Sequence, residues 1–309
     1  MDRNTSYSRK LTLIGVPSSA GARRAGQEDA PRALRAAGLV DALQKRGLDV
    51  LDRGDLPKAV FRPDPENPRK QNLGLVGRVA RDVAFELGRV SGNGTFLVVL
   101  GGDCTITIGV LAGLLGQGSS LGLIYLDGDL DLNTPDTTPS GVFDGMVTAH
   151  LVGRGDQELA LIGPRCPLLQ ESHLVYFGYN VSAGGIDPPE LSALAESAAL
   201  RFPIESIRED PIEAAREALA ALEGRVERIL VHFDVDVADT PAVDVAHSNG
   251  LPLARAIEAL NVFTASSKCA GLVVTEFNPE LDFDGSAARS LAAHLAEALS
   301  TVPHLRRGE

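Results

Sequence analysis

The segment that decides the fold reads L-I-Y-L-D-G-D-L-D-L-N and runs from Leu123 to Asn133. A short apolar strand, Leu121 to Leu126, leads into aspartates at every second position. Alternate side chains of an extended chain point to the same face, so the carboxylates of Asp127, Asp129 and Asp131 should stand together at a strand end. Two unit charges ~4 Å apart repel by ~4 kcal/mol at an effective dielectric near 20. The cluster therefore requires bound protons or a cation, although this motif alone fits a solvated acidic turn equally well.

Composition places the chain among ordinary globular proteins. It has 309 residues, of which 44% are hydrophobic and 23% charged, and we expect one α/β domain spanning 1–309. No apolar run is long enough to cross a membrane, and the polar start, Met1 to Lys10, lacks the core of a secretory signal. Three distant cysteines favour a reducing cytoplasm over a disulfide framework. The net charge of −12 disfavours nucleic acid and anionic membranes as partners and suits a cationic substrate.

Strand and helix patterns alternate along the chain. The predicted strands are Leu11–Val16, Asp49–Arg53, Thr95–Leu100, Leu121–Leu126, Glu158–Ile162, Leu174–Phe177, Ile229–Phe233 and Gly271–Thr275. The first predicted helix starts at Asp29-Ala30-Pro31 and runs through Leu34 and Leu43, with a break near Gly38. The other predicted helices include Leu73–Val90, Met146–Val152, Pro189–Leu200, Pro211–Leu222, Leu253–Thr264 and Ser286–Leu299. This alternation predicts a three-layer α/β/α architecture around a doubly wound, mainly parallel sheet.

Potential metal ligands follow several of these strands. Cys104 comes after a Gly-Gly-Asp turn, Asp234 and Asp236 end the strand that carries His232, and Glu276 follows the last strand. The carboxyl ends of strands in an open α/β sheet converge on one crevice, so these side chains should meet there. Oxygen-rich ligands favour hard ions such as Mg²⁺, Ca²⁺ or Mn²⁺, and the thiol adds tolerance for softer ions. The pattern predicts a metal site.

These motifs together resemble the ureohydrolase family of arginases and agmatinases. The loop Leu132 to Gly141 is closer to arginases than to agmatinases. The other matching segments are G-V-P at Gly15–Pro17, A-P-R-A-L-R-A-A-G-L at Ala30–Leu39, G-G-D at Gly101–Asp103, D-x-D-x-D at Asp127–Asp131, F-D-V-D at Phe233–Asp236 and T-E-F-N-P at Thr275–Pro279.

The resemblance implies an arginase-like fold with two Mn²⁺ ions and a bridging hydroxide that attacks a guanidinium carbon. Asp127 and Asp234 would bridge the ions, Asp131 would complete one and Asp236 the other. The resemblance also implies a homo-oligomer, either a trimer or a hexamer.

The same resemblance implies the contacts to a small guanidino substrate. Glu276 matches the acid that grips the guanidinium as a bidentate carboxylate. Asn133 and Ser140 match positions that bind the amino-acid end of the substrate in arginases.

The chain departs from the family at several functional positions. Cys104 and Asp129 replace the two histidine ligands, giving the candidate ligand set Cys104, Asp127, Asp129, Asp131, Asp234 and Asp236. Asp144 replaces the histidine thought to shuttle protons, so the candidate catalytic residues are Asp131, Asp144 and Glu276. Val142 replaces a substrate-binding asparagine, and a segment ending at His247 replaces G-T-G-T-P.

Two hypotheses follow from these departures. In the first, the protein is an active metal-dependent hydrolase with a re-tuned site and an altered substrate. In the second, it is a catalytically inactive family member with a structural or regulatory role and one weak metal or none. His232 is either a ligand, the partner of a ligand, or a strand histidine bonded to backbone. Cys104 is either a ligand, an inert buried thiol or a nucleophile, and Asp144 is either a proton carrier or a loop acid.

Overall fold

The computed structural model describes residues 10–92, 95–116, 118–303 and 305. Of the predicted polar N-terminal segment, only Lys10 falls within this part. The strands are β1 Lys10–Gly15, β2 Val50–Asp55, β3 Thr95–Leu100, β4 Leu121–Leu126, β5 Leu174–Phe177, β6 Leu200–Phe202, β7 Arg228–Asp234 and β8 Cys269–Thr275. The helices are α1 Ala30–Ala36, α2 Leu39–Lys45, α3 Leu73–Val90, α4 Ile106–Leu115, α5 Val147–Leu151, α6 Gln157–Ala160, α7 Pro188–Glu196, α8 Ile204–Ile207, α9 Pro211–Glu223, α10 Leu253–Thr264 and α11 Ser286–Leu299.

The strands form one sheet in the order β2-β1-β3-β8-β7-β4-β5-β6, and every neighbouring pair is parallel. Helices α1, α2 and α8 to α11 pack on one face, and α3 to α7 pack on the other. In β3, Val98 and Leu100 belong to the first core while Leu97 and Val99 belong to the second. Burial on both faces explains the unbroken apolar runs of the central strands. The predicted three-layer, doubly wound fold is confirmed.

Two local predictions were wrong. The segment Glu158–Ile162 contains helix α6 rather than a strand, because the Asp156 side chain accepts a hydrogen bond from the Glu158 N–H and caps a helical turn. A short apolar run does not by itself separate a strand from a helix. Helix α7 ends at Glu196, four residues earlier than predicted, and the residues that follow form the edge strand β6.

The break near Gly38 is confirmed. Gly38 has φ of 89°, in the left-handed region that glycine adopts readily, and it separates α1 from α2. In the described part of the chain, no helix combines the length and the apolar character needed to cross a membrane.

The sheet order places β3, β8, β7 and β4 side by side at its centre. Their carboxyl ends lead respectively to Cys104, Glu276, Asp234 and Asp127. The turn after β3 needs glycine, since a Cβ at Gly102 would lie 1.6 Å from the Ser18 carbonyl oxygen. Four adjacent strands therefore deliver a thiol and three carboxylates to one crevice.

Candidate metal centre

The crevice at the carboxyl ends of the central strands is a strongly acidic pocket. Ten predicted site residues line it, namely Cys104, Asp127, Asp129, Asp131, Asn133, Ser140, Asp144, Asp234, Asp236 and Glu276. Three further lining residues, Asp187, Glu190 and Arg23, were not predicted. The carboxylates greatly outnumber the single arginine, so the pocket favours cations.

Backbone N–H groups hold one oxygen of each central carboxylate. The Asp129 N–H donates to Asp127 Oδ1 over 2.6 Å, the Asp236 N–H to Asp234 Oδ1 over 2.8 Å, and the Gly128 N–H to Asp236 Oδ1 over 3.1 Å. In the described structure, the other Asp127 oxygen, Oδ2, is buried with no hydrogen-bond partner. The main chain thus orients these carboxylates and leaves their second oxygens for another interaction.

One group of potential ligands surrounds the Cys104 thiol. Its Sγ donates to Asp234 Oδ2 over 2.9 Å and lies 3.4 Å from His232 Nε2, which is 3.5 Å from Asp127 Oδ2. The candidate ligand atoms of these four residues lie within 4.8 Å of one another. Burial, reinforced by Asp234, raises the pKa of the Cys104 thiol well above its usual range. The thiol is therefore protonated unless a cation binds beside it, which disfavours its role as a nucleophile.

His232 is bonded to side chains rather than to backbone. Its Nδ1 lies 2.9 Å from Thr107 Oγ1, and its Nε2 lies 3.3 Å from Thr275 Oγ1. The ring stacks on Tyr125 with centroids 4.2 Å apart and an interplanar angle of 9°. Burial lowers its pKa to about 3, so the imidazole is neutral and has the protonation state of a metal ligand.

A second group combines Asp129, Asp236 and His247. His247 Nε2 lies 3.3 Å from Asp129 Oδ2 and 3.4 Å from Asp236 Oδ2. Burial alone would lower the pKa of His247, but hydrogen-bonding and charge interactions with the two carboxylates raise it to about 11. Sequence reasoning did not assign His247 a role, although its position in the segment after F-D-V-D was the available signal.

Asp131 shows that the extended geometry assumed for D-x-D-x-D was wrong. Strand β4 ends at Leu126, and Asp131 has a left-handed backbone with φ of 49°. Its Oδ2 accepts a hydrogen bond from the Tyr125 hydroxyl. The chain turns after β4 because the Asp127 side chain bonds the backbone N–H two residues later, a typical turn interaction. The three aspartates still line the same pocket.

The residues present fit a metal centre. Burial and then repulsion from neighbouring carboxylates raise the pKa values of Asp127, Asp131 and Asp234 well above their usual range. The unpartnered Asp127 Oδ2 lies next to a thiol and a neutral imidazole. Divalent cations that accept oxygen, nitrogen and sulfur ligands, such as Mn²⁺ or Zn²⁺, suit this donor set.

Asp144 and Glu276 form a second titrating unit on the pocket wall. One oxygen of each carboxyl group lies within 4.8 Å of the other group, and Asp144 Oδ1 also accepts from the Cys104 N–H over 2.7 Å. Burial, with repulsion from Asp103, raises the pKa of Asp144 to about 8. Burial and then Asp144 raise that of Glu276 well above its usual range. Two carboxyls this close share a proton at neutral pH.

Gln27 is a site residue that sequence reasoning missed. It is fully buried, and its Nε2 donates to Glu276 Oε2 over 2.5 Å and to Asp244 Oδ2 over 3.2 Å. Asp244 Oδ1 also accepts from Asn278 Nδ2 over 2.7 Å. Gln27 therefore fixes the orientation of Glu276, whose Oε1 is buried without a hydrogen-bond partner among the described atoms.

Asp187 and Glu190 were missed for a different reason. They form the capping box of α7, in which Glu190 Oε2 accepts from the Asp187 N–H over 3.0 Å. Glu190 Oε1 also accepts from the Leu132 N–H over 2.9 Å, which ties the helix to the aspartate-rich loop. The D-P-P-E pattern reads as a helix start, and its position on the pocket wall depends on tertiary structure.

Fold and site together define a class: three-layer α/β proteins with a candidate metal centre at the carboxyl ends of central parallel strands. The profile of the Arginase family matches residues 9–301, and this chain belongs to that family.

Individual relatives agree with this assignment. The arginase of Bacillus caldovelox is 30% identical over 295 residues, covering 94% of this chain and 96% of that protein. Human Arginase-1 is 31% identical over 282 residues, covering 89% and 86% respectively. The solved structure of the B. caldovelox arginase superposes with a TM-score of 0.84 at 28% identity and covers 94% of this chain and 98% of that one. The fold also extends to a Bacillus subtilis formimidoylglutamase, with a TM-score of 0.75 at 19% identity over 96% and 88%.

Proposed function

We propose that this protein is a metal-dependent hydrolase that cleaves an amidine C–N bond of a small guanidino compound, with Mn²⁺ as its cofactor. The observation that carries the proposal is that two unpartnered carboxylate oxygens belong to residues that line the same pocket. Asp127 Oδ2 and Glu276 Oε1 are both buried without partners within the described residues. A metal ion would coordinate Asp127 Oδ2, and a guanidinium N–H would donate a hydrogen bond to Glu276 Oε1.

Two groups of residues would hold the metal. Cys104, Asp127, His232 and Asp234 would form the first, and Asp129 and Asp236 would belong to the second. Asp127 and Asp234 would be the carboxylates that bridge the two. Asp131 remains a predicted ligand through the oxygen that Tyr125 does not engage. When bound, divalent ions lower the pKa of a water molecule and stabilise negative charge on a tetrahedral carbon.

Glu276 is the proposed guanidinium-binding residue. Gln27 occupies its Oε2, so Oε1 is the oxygen that accepts an N–H from the substrate. The arriving cation favours the ionised form of Glu276, whose pKa is otherwise raised by burial. Binding and ionisation of this carboxyl are therefore coupled, and only a cationic substrate gains the full interaction.

Asp144 is the proposed proton donor. Because burial raises its pKa to about 8, it retains a proton at neutral pH and can transfer it to the nitrogen that leaves the guanidinium carbon. Its Oδ1 is held by the Cys104 N–H, which fixes the carboxyl against the pocket wall.

The far side of the pocket would bind the rest of the substrate. Asn133 Nδ2 donates to Asp187 Oδ2 over 3.2 Å, and Ser140 Oγ accepts from the Val142 N–H over 3.2 Å. Asp187 and Glu190 favour a second cationic group, such as an amine. We therefore expect a substrate with an amino group as well as a guanidinium.

The catalytically inactive alternative rests on one observation. His247, between Asp129 and Asp236, has a pKa raised to about 11 and can supply positive charge in place of an ion. Metal analysis after equilibrium dialysis against Mn²⁺, followed by urea and ammonia release from a panel of guanidino compounds, separates the two functions. Bound metal with turnover that Glu276→Gln abolishes supports the hydrolase, and the absence of both metal and turnover refutes it. A cytoplasmic homo-oligomer stays a prediction that light scattering can test for its oligomeric part.

A further inference from the structure

We infer that His247 is a metal ligand, and that with Asp129 and Asp236 it forms the second half of a dinuclear centre. The inference rests on the proposed function only in requiring that the pocket binds divalent cations. It assigns an imidazole ligand to the segment after β7, outside the D-x-D-x-D segment. The half-site therefore has one nitrogen and two carboxylate donors, a set suited to Mn²⁺, Co²⁺ or Zn²⁺.

The distances support coordination. His247 Nε2 lies 3.3 Å from Asp129 Oδ2 and 3.4 Å from Asp236 Oδ2, beyond the usual ~2.9 Å of an N–H···O hydrogen bond. Two ligand atoms each ~2.1 Å from one ion are ~3.0 Å apart in octahedral geometry and ~3.4 Å apart in tetrahedral geometry. The observed separations match ligands around a common ion.

His247 Nε2 makes no hydrogen bond in the described structure beyond its long contacts to the carboxylates of Asp129 and Asp236. The side chain is 5% exposed, and Nε2 is a buried atom without a hydrogen-bond partner among the described residues. Asp129 Oδ1 is buried and unpartnered in the same way. Buried polar atoms are nearly always satisfied, so an unpartnered Nε2 that lies beside two carboxylates indicates a ligand there.

Glycines clear the space that this arrangement needs. A Cβ at Gly128 would lie 2.4 Å from His247 Cδ2 and 2.7 Å from its Nε2. A Cβ at Gly185 would lie 2.6 Å from Asp129 Oδ1. Any other residue at either position would displace a member of the half-site, so the close approach of His247 and Asp129 is built into the backbone.

The segment that carries His247 is hydrogen-bonded to the chain that follows β7 and to the loop that follows β5. The Leu251 N–H donates to the Val237 carbonyl over 2.9 Å, and the Asp239 N–H donates to the Leu251 carbonyl over 2.7 Å. Asn180 Nδ2 donates to the Ser248 carbonyl over 3.3 Å. These bonds hold the imidazole beside the end of β7, where Asp234 and Asp236 lie, and give it the fixed position that a ligand requires.

The competing role for His247 is that of a permanent internal cation, and it predicts the opposite effect of mutation. If His247 is a ligand, its removal takes a donor from the second ion. If it is a cation, its removal leaves Asp129 and Asp236 more anionic and strengthens metal binding. The sign of the change in affinity therefore decides between them.

The experiment measures Mn²⁺ stoichiometry and affinity by equilibrium dialysis and metal analysis, without reference to activity. We expect two ions in the unmodified protein. His247→Ala should weaken the second ion by at least ~100-fold, more than the loss of a residue that only supports a ligand. Gly128→Ala, which displaces the imidazole without removing it, should act in the same direction. Gly224→Ala, where a Cβ meets no atom within 4 Å, is the matched control and should bind two ions.

The Co²⁺-loaded protein gives a second readout. Its visible absorption should change on His247→Ala, and Asp129→His in the His247→Ala background should restore the second ion. Unchanged or tighter Mn²⁺ binding in folded His247→Ala refutes the inference while leaving the proposed function intact. An unmodified protein that binds no Mn²⁺ refutes both. If His247→Ala does not fold, Gly128→Ala and the Co²⁺ spectrum of the unmodified protein still decide.

Discussion

Because the candidate ligands are buried carboxylates, the free energy of unfolding should depend on bound metal. Asp234→Asn should be the more stable protein without metal and the less stable one with metal. Candidate ligand atoms of Asp127 and Asp234 lie within 4.8 Å of each other, a separation at which two unit charges repel by ~3.5 kcal/mol at an effective dielectric near 20. Without metal the pair must either bear this repulsion or bind a proton, whichever costs less, and Asp234→Asn removes both costs. The asparagine retains the oxygen that accepts the Asp236 N–H. At pH 7.5 the metal-free variant should therefore be more stable than the metal-free unmodified protein, by at most ~3.5 kcal/mol or ~7 °C in Tm.

With bound metal, the unmodified protein should instead be more stable than Asp234→Asn. A site that is filled at 100 times its Kd stabilises the folded state by ~2.7 kcal/mol, so two filled sites contribute ~5.4 kcal/mol, or ~10 °C. Asp234→Asn lacks a predicted bridging ligand and should gain far less. Calorimetry with and without Mn²⁺ measures all four states, and Asp82→Asn, on the exposed face of α3, is the control.

The pH dependence of stability tests independently whether the buried carboxyls destabilise the metal-free protein. Because the folded-state pKa values of Asp127, Asp131 and Asp234 are raised, the folded protein holds protons that the unfolded chain has released. The metal-free protein should therefore lose stability as the pH rises above ~4. A metal-free Asp234→Asn less stable than the unmodified protein at pH 7.5, or an equal response of both to Mn²⁺, would refute the reasoning.

Three further predictions concern the pocket wall. Gln27→Leu removes the buried amide that bonds Glu276 and Asp244, and chemical denaturation should show a loss of ~2–4 kcal/mol. The bond to ionised Asp244 contributes ~1.5–3 kcal/mol, and the bond to the protonated Glu276 carboxyl contributes ~0.5–1.5 kcal/mol. In metal-loaded protein, Glu190, whose pKa burial raises to about 7, should make stability fall between pH ~4.5 and 7 by at most ~3.4 kcal/mol, and Glu190→Gln should remove that slope in melting curves. Asp144→Asn should lower kcat by ~100-fold or more and eliminate the loss of activity above pH ~8 that deprotonation of Asp144 causes, as a pH–rate profile will show.

Exposed residues of the same types provide controls for these variants. Gln44→Leu, Glu196→Gln and Asp41→Asn change side chains on the surfaces of α2 and α7. Each should leave the measured quantity within the ~0.5 kcal/mol typical of surface substitutions. An equal effect of Gln27→Leu and Gln44→Leu, or a slope that survives Glu190→Gln, would contradict the assigned contacts.

The sequence was sufficient to predict the fold because the central strands are apolar throughout and the acids follow them directly. Convergence of Cys104, Asp127, Asp234 and Glu276 follows from parallel strands, whose carboxyl ends share one edge. The turn at Asp131 could not be predicted, because it depends on a side chain bonding the backbone two residues later and on the Tyr125 hydroxyl.

Contacts between residues far apart in the sequence also could not be predicted from the sequence pattern. Gln27 lies 249 positions before Glu276, and no local periodicity links the two. His247 lies in a segment without regular structure, and its approach to Asp129 depends on the absence of a side chain at Gly128. Contacts of this kind follow from tertiary packing, whereas the positions of the strand ends follow from local hydrophobicity.

The backbone N–H groups of Gly128, Asp129 and Asp236 have a consequence for how the pocket tolerates change. Each orients a carboxylate through a main-chain donor, and at Asp129 and Asp236 that donor is the same whatever side chain the residue carries. An exchange of the side chain at Asp129 therefore leaves Asp127 aimed as before. The main chain keeps its position when one ligand side chain is exchanged for another. Single substitutions can therefore change which metal ion the pocket prefers while the fold stays constant.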